Sequence, residues 1–209
     1  MTERLRLVVF DLDDVLVHFR PPRRLDYLHA LTGLAREHLH ESIWASDFEP
    51  AAEAGAWPDP DDYLDEFNKR IGYRVTVQQW IEARRAAMEL RPEVLDVARS
   101  LRGRVELALL TNNGSLLKRS LPDLVPDVCE VFAPRVHASC DFNARKPDPI
   151  VFTRLLEHYG VSPEQALHID DSLDYVNGAI AAGLKGVVFH DVHSLIEALG
   201  QLLSTDRGK

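Results

Sequence analysis

Only two cysteines, Cys129 and Cys140, occur in the 209 residues of this chain. Two are too few for the disulfide framework of a small secreted fold, so reduced, buried thiols are expected. No uninterrupted apolar run is long enough to span a bilayer, and neither an internal repeat nor a low-complexity tract appears. Positive charge is also scarce: 24 Lys and Arg face 33 Asp and Glu, a formal net charge of −9. That balance excludes a general affinity for nucleic acid or anionic membranes. It does not exclude an anionic substrate, because a local lysine and a bound cation can reverse the field within a pocket. The N-terminus runs into an apolar strand with no signal-peptide pattern. The glycosylation sequon at Asn113-Gly114-Ser115 is therefore expected to be idle and the location cytoplasmic.

Against these absences stands Val8-Val9-Phe10-Asp11-Leu12-Asp13, a β-branched apolar run that ends in two carboxylates two residues apart. Side chains alternate along a strand, so Asp11 and Asp13 can project the same way where it ends. The carboxyl ends of buried parallel strands are where open α/β sheets hold ligands. Carboxylates there suit a hard cation such as Mg²⁺, and an Asp can also act as a nucleophile. Three further pieces follow in order. Leu107-Ala108-Leu109-Leu110-Thr111-Asn112-Asn113 is an apolar strand ending in a hydroxyl. Arg145-Lys146-Pro147-Asp148-Pro149 sets a lysine just before a helix start. Ala166-Leu167-His168-Ile169-Asp170-Asp171-Ser172 is another strand ending in paired acids.

Between the first two pieces no good buried strand is found from about residue 19 to 89. Four short helices are expected there. One begins at Pro21-Pro22 and stops at Gly33, and a second carries Leu34, Leu39, Ile43 and Trp44. A third opens at Asp59-Pro60-Asp61, and a fourth follows the Thr76/Gln79 capping box. Four apolar stripes of this kind suggest a small bundle. Beyond it, strands are expected at 105–110, 131–137, 166–169 and 186–189, with helices at 92–101, 149–159, 173–182 and 193–203. Alternation of this kind indicates a parallel sheet covered on both faces. The strand at 131–137 is weakened by Pro134. The tail 204–209 is expected to be frayed.

The four pieces in this order resemble the haloacid dehalogenase-like (HAD) superfamily, specifically its aspartate-nucleophile phosphatases, over nearly the whole chain. The resemblance implies an α/β fold: a HAD-type Rossmannoid parallel sheet with helices on both faces, at 1–18 and 90–209, plus an inserted helical C1 cap at 19–89. The runs Leu90-Arg91-Pro92-Glu93-Val94 and Leu110-Thr111-Asn112 look most like the bacterial glucose-1-phosphatase type and the phosphatase-like domain of epoxide hydrolases. Asp11 matches the family's nucleophile and Asp13 its general acid/base. Thr111 matches the hydroxyl that binds a phosphoryl oxygen, with Asn112 able to donate to the same group. Lys146 matches the lysine that neutralises nucleophile and phosphate. Asp11, the backbone carbonyl of Asp13 and Asp171 would ligate Mg²⁺, with Asp170 acting through water.

Departures from the family pattern are few. Asp14 replaces a commoner Gly and Val15 a commoner Thr. Tyr175 stands where an Asn or Asp is usual, with Asp174 a possible substitute. The implied activity is a Mg²⁺-dependent phosphomonoesterase acting on a small phosphorylated metabolite, such as a sugar phosphate. The other readings are a phosphomutase, a catalytically idle binding module and a haloacid dehalogenase. Asp13 disfavours the last, since halide leaves without a proton. No nucleic-acid or membrane partner is expected, and nothing in the sequence sets the oligomeric state. His18 lies where the family places a flap. Trp44, Phe48 and Trp57 are read as bundle core or pocket lining, Arg145 as peripheral or salt-bridged, and His190, Asp191 and His193 as structural or solvated.

Overall fold

The computed structural model describes residues 4–204. Its centre is a five-stranded sheet in the order β5-β4-β1-β6-β7. The strands are β1 (Leu7–Phe10), β4 (Glu106–Thr111), β5 (Val136–Ala138), β6 (Ala166–Asp170) and β7 (Lys185–Val188). All neighbours pair in parallel, and the registers Phe10↔Leu109 and Phe10↔Ile169 bring the carboxyl ends of the three central strands level. The connections leave β1 on both sides, so a crevice opens at its carboxyl end.

Strand alternation divides the core. Val8, Phe10, Leu107, Leu109, Leu167 and Ile169 face one side, while Leu7, Val9, Ala108, Leu110 and Ala166 face the other. The second face is covered by α9 (Pro149–Tyr159) through Val151, Phe152 and Leu155, and by Ala179 of α10 (Leu173–Ala181). The first is covered by α6 (Pro92–Leu101), α8 (Pro126–Phe132) and α11 (Val192–Ser204). Phe10 meets Phe132 edge to face, with ring centroids 5.5 Å apart.

Two short strands, β2 (Val17–Phe19) and β3 (Met88–Leu90), pair antiparallel outside the main sheet. Between them run α1 (Pro21–Thr32), α2 (Arg36–Ile43), α3 (Phe48–Glu53), α4 (Pro60–Ile71) and α5 (Val77–Ala86). Local sequence explains their ends. Asp59 caps α4 by accepting from Asp61 N at 2.8 Å, with Pro60 behind it and Gly72 ending the helix at φ 72°. The capping box of α5 forms in both directions, Gln79 N to Thr76 Oγ1 at 3.2 Å and Thr76 N to Gln79 Oε1 at 2.9 Å. Phe48 packs against Trp57, Tyr63 and Phe67. The apolar cluster of these helices is continuous with the first face of the sheet.

Three expectations need correcting. The insertion holds five helices among the described residues, because α3 is too short to show a stripe. The expectation of no good buried strand in this stretch stands, since the residues of β2 and β3 at its ends are only partly buried or exposed. The apolar run at 131–137 divides: α8 extends through Phe132, and only 136–138 forms β5, since a short apolar run does not separate helix from strand. Helix α7 (Ser115–Leu124), which the sequence reading left out, follows β4 and carries Pro122 near its end. Residues 205–209 of the expected frayed tail lie outside the described residues. Cys129 and Cys140 are free and half-buried. No helix among the described residues is long and apolar enough to cross a membrane.

Candidate active site

The carboxyl ends of β1, β4 and β6 bring Asp11, Thr111 and Asp170 together, and the loop before α9 brings in Lys146. Lys146 is fully buried. Its Nζ donates to Asp11 Oδ1 at 2.7 Å, to Asp170 Oδ2 at 2.6 Å and to the Leu110 carbonyl at 3.2 Å. Burial alone would pull the ammonium pKa down, but Asp11 and Asp170 outweigh it and raise it. Asp170 is also fully buried by area, yet Lys146 and His168 overcome that burial and bring its pKa down to about 2. With Asp170 ionised and acceptor-only, His168 Nε2–H is the donor in their 3.0 Å bond. Burial pushes Asp11 well up, and the nearby Asp170 and Asp13 charges add to the effect.

The loop that holds the lysine is itself fixed. Asn112 Nδ2 donates to the Lys146 carbonyl at 2.8 Å, and Lys146 N donates to Asn112 Oδ1 at 2.9 Å. The Asn112 side chain therefore clamps the lysine's backbone, which leaves the backbone N–H as the alternative donor to a phosphoryl group. Asn113, which the sequence reading left without a role, donates from Nδ2 to Thr111 Oγ1 at 2.8 Å. Gly178 of α10 lies against the next peptide. A Cβ there would stand 2.1 Å from the Pro147 carbonyl oxygen, so only glycine allows this approach.

Oxygen atoms of Asp11, Asp170 and Asp171 come within 4.8 Å of one another, with Asp171 the exposed member. Burial, then Asp170 and Asp14, raise the Asp171 pKa. A cluster of hard oxygen donors with mutually repelling charges fits Mg²⁺. Both Asp170 oxygens already accept bonds, Oδ1 from Ser172 N at 2.9 Å and Oδ2 from Lys146 and His168. Asp14 is an acid near this cluster that sequence reasoning passed over. Its φ of 58° is the left-handed conformation that suits the commoner Gly, and its Oδ1 accepts from Phe19 N at 3.1 Å. Asp174 is exposed, whereas Asp14 lies close enough to raise the Asp171 pKa, so Asp14 is the better candidate for the additional acid. Tyr175 lies with its ring centroid 5.1 Å from Lys146 Nζ.

Asp13 points elsewhere. Both its oxygens accept from Arg84 Nη2 of α5, at 2.8 and 2.5 Å. The insertion makes further ties to the strand-end loops. Ser115 Oγ donates to the Trp57 carbonyl at 2.7 Å, Ser139 Oγ to the Glu53 carbonyl at 2.8 Å, and Arg145 Nε to Glu53 Oε2 at 2.6 Å. Arg145 is thus salt-bridged, as expected. His18 pairs with Glu89 in the β2–β3 ribbon, while Asp191 caps α11 and His193 pairs with Glu197. Arg84 carried no sequence signal: its role arises only where α5 meets the loop after β1.

A parallel sheet with acids at two adjacent strand ends, a hydroxyl at the third and a buried lysine between them defines a class of hydrolases. Residues 5–183 match the family model described as haloacid dehalogenase-like hydrolase, and the chain belongs to that family. It is 29% identical over 197 residues to Phosphatase MT3486 of Mycobacterium tuberculosis, covering 85% of this chain and 84% of that protein. A predicted HAD-like family hydrolase from Porphyromonas gingivalis superposes with a TM-score of 0.79 at 25% identity, covering 99% of this chain and all of that one. A HAD family enzyme of Bacteroides thetaiotaomicron, solved with magnesium and inorganic phosphate, has the same fold at a TM-score of 0.73 and 20% identity, over 90% and 96% of the two chains.

Proposed function

We propose that this hydrolase is a Mg²⁺-dependent phosphomonoesterase of the C1-capped subgroup, acting on a small phosphorylated metabolite such as a sugar phosphate. The observation that carries the reading is Lys146, fully buried and shared between Asp11 and Asp170, with the acid Asp13 two residues beyond Asp11. The phosphatase name of the mycobacterial relative supports it, as does the magnesium and phosphate held by the Bacteroides enzyme.

In this reading Asp11 attacks phosphorus as the ester P–O bond breaks. The leaving oxygen takes the bonding pair and a proton from Asp13, which later accepts a proton from the water that hydrolyses the aspartyl-phosphate. Lys146 holds the Asp11 carboxylate in place and neutralises charge on the transferring group. Thr111 offers its hydroxyl to a phosphoryl oxygen. Asp11, the Asp13 carbonyl and Asp171 would hold Mg²⁺, which supplies further neutralisation of the phosphoryl oxygens when bound. Residues 19–89 act as the cap, closing over the crevice to exclude water and large substrates.

A panel of phosphorylated small molecules, assayed for phosphate release with Mg²⁺ and with EDTA, tests this. Metal-dependent hydrolysis of at least one is expected. Failure on every ester, or equal rates with EDTA, would refute it.

A further inference from the structure

The insertion carries two further buried cations, and they are under-used. Arg84 is 2% exposed, lies 3.9 Å above the Phe19 ring and gives Asp13 only its Nη2. Its Nε is buried with no hydrogen-bond partner. Arg24 of α1 is 4% exposed, set between Trp44 and Trp80 at 5.0 and 4.9 Å, and both its Nε and Nη2 are buried without a partner. The two guanidiniums are close enough for Arg84 to lower the pKa of Arg24, beyond the larger effect of burial. Glu49 and Tyr63 offset that only in part, and Tyr63 donates its own hydroxyl to Glu49 at 3.0 Å. Tyr63 also marks the place, because a Cβ on Gly114, just beyond the Thr111 strand end, would meet its ring at 3.2 Å.

Buried guanidinium N–H groups call for an anionic acceptor. Asp13 supplies one, but in doing so it turns both oxygens toward Arg84. A carboxyl held in that way presents neither oxygen to a leaving group. The side chain of Asp13 is 24% exposed and that of Arg84 only 3%, so the guanidinium lies deeper than the carboxylate it holds.

We infer that Arg84, with Arg24 beside it, receives an oxyanion on the leaving portion of the substrate, so that the preferred substrates are phosphate monoesters bearing a second acidic group. That group competes with Asp13 for Arg84 Nη2 and also reaches the unpaired Nε. Its arrival frees the Asp13 carboxylate to take up a proton from solvent and deliver it to the leaving oxygen as the ester P–O bond breaks. Selection and activation are then a single exchange of partners at one guanidinium. This deepens the phosphatase reading and rests on it.

The test compares matched esters. 2-Phosphoglycolate is set against ethyl phosphate, and propane-1,3-diyl bisphosphate against propyl phosphate, so that a carboxylate and a second phosphate are tried separately. The wild type should favour the doubly acidic member of at least one pair by roughly tenfold or more in kcat/KM. Arg84→Gln should collapse that ratio toward unity, and Arg84→Lys should keep part of it. A wild type indifferent within both pairs would overturn the inference. So would an Arg84→Gln protein that loses both members of a pair by the same factor, since Arg84 would then act on Asp13 alone. Calorimetric titration of Asp11→Asn protein with the same pairs reads binding without turnover. Equal affinities within both pairs overturn the inference, whereas a failure of all hydrolysis with a retained binding preference overturns only the phosphatase reading.

Discussion

Lys146 and Arg84 are both buried cations that face an aspartate two residues from the other's, yet their surroundings differ. Lys146 spends its three N–H donors on Asp11, Asp170 and the Leu110 carbonyl, and Asp170 is in turn held by His168 and Ser172. Arg84 engages one aspartate through one nitrogen and leaves Nε without a partner. On the sheet side Lys146 and Asp170 are fully engaged within the protein, as suits groups that would meet the phosphoryl moiety in the proposed reaction. The insertion side is charged and incomplete, as suits groups that would meet whatever varies between substrates under the inference above. Pre-organised charge belongs where the chemistry is fixed.

The largest expected effect breaks the sheet side at its reactive atom. Asp11→Asn should lower kcat by about a thousandfold or more, because an amide does not attack phosphorus. Steady-state phosphate release from protein freed of host phosphatase measures it.

Next comes the counter-ion. Lys146→Met leaves two buried carboxylates facing each other and should cost about 3–5 kcal/mol of stability, read from urea unfolding. A loss that small surface pairs would explain, under ~1 kcal/mol, would show that the sheet side is not the pre-balanced unit described.

Gly178→Ala tests whether the lysine is positioned by packing from behind. The added Cβ meets the Pro147 carbonyl oxygen at 2.1 Å, so helix α10 or the lysine loop must move, at about 3 kcal/mol. Turnover should fall although no group that touches substrate has changed.

The smallest effect probes the seam between the two sides. Burial of Glu53, only partly offset by Arg145, lifts its pKa to about 7 from 4.5. Between those values the folded protein keeps a proton that the unfolded chain has released. The stability tied to this group is therefore fully present below about pH 4.5 and lost as pH rises through about 7. Glu53→Gln should remove that slope, matching wild type near pH 4.5 and exceeding it by about 2 kcal/mol at pH 8. Urea midpoints at the two pH values check it.

The sheet side was legible in the sequence because each of its groups ends a local apolar run. Asp11, Thr111 and Asp170 are the last word of three strands, and Lys146 precedes a proline-marked helix start. Asp14 was noted only as a departure from Gly, although the left-handed backbone at that position accounts for both residues. The insertion side was legible as helices but not as a site. Arg84 and Arg24 sit among other arginines, and what sets them apart is burial, which depends on how α1 and α5 cross and not on any spacing within them. The clamp that Asn112 makes was hidden for the same reason, since its partner lies at Lys146, far along the chain. Helix α3 and the β2–β3 ribbon were too short to carry a period.

That ribbon has a consequence for how such a chain can be rebuilt. Phe19 pairs with Met88, and Arg20 N donates to the Ala87 carbonyl at 2.8 Å, so the chain leaves and re-enters the sheet unit through adjacent antiparallel strands. A tight turn needs no other geometry at its ends. Closure entropy rises only with the logarithm of loop length. Modules of different size can therefore hang from the same two strands at nearly the same entropic cost. A transplanted module would inherit the sheet's chemistry at once. It would have to bring its own apolar surface to cover the shared cluster, and its own answer to Asp13.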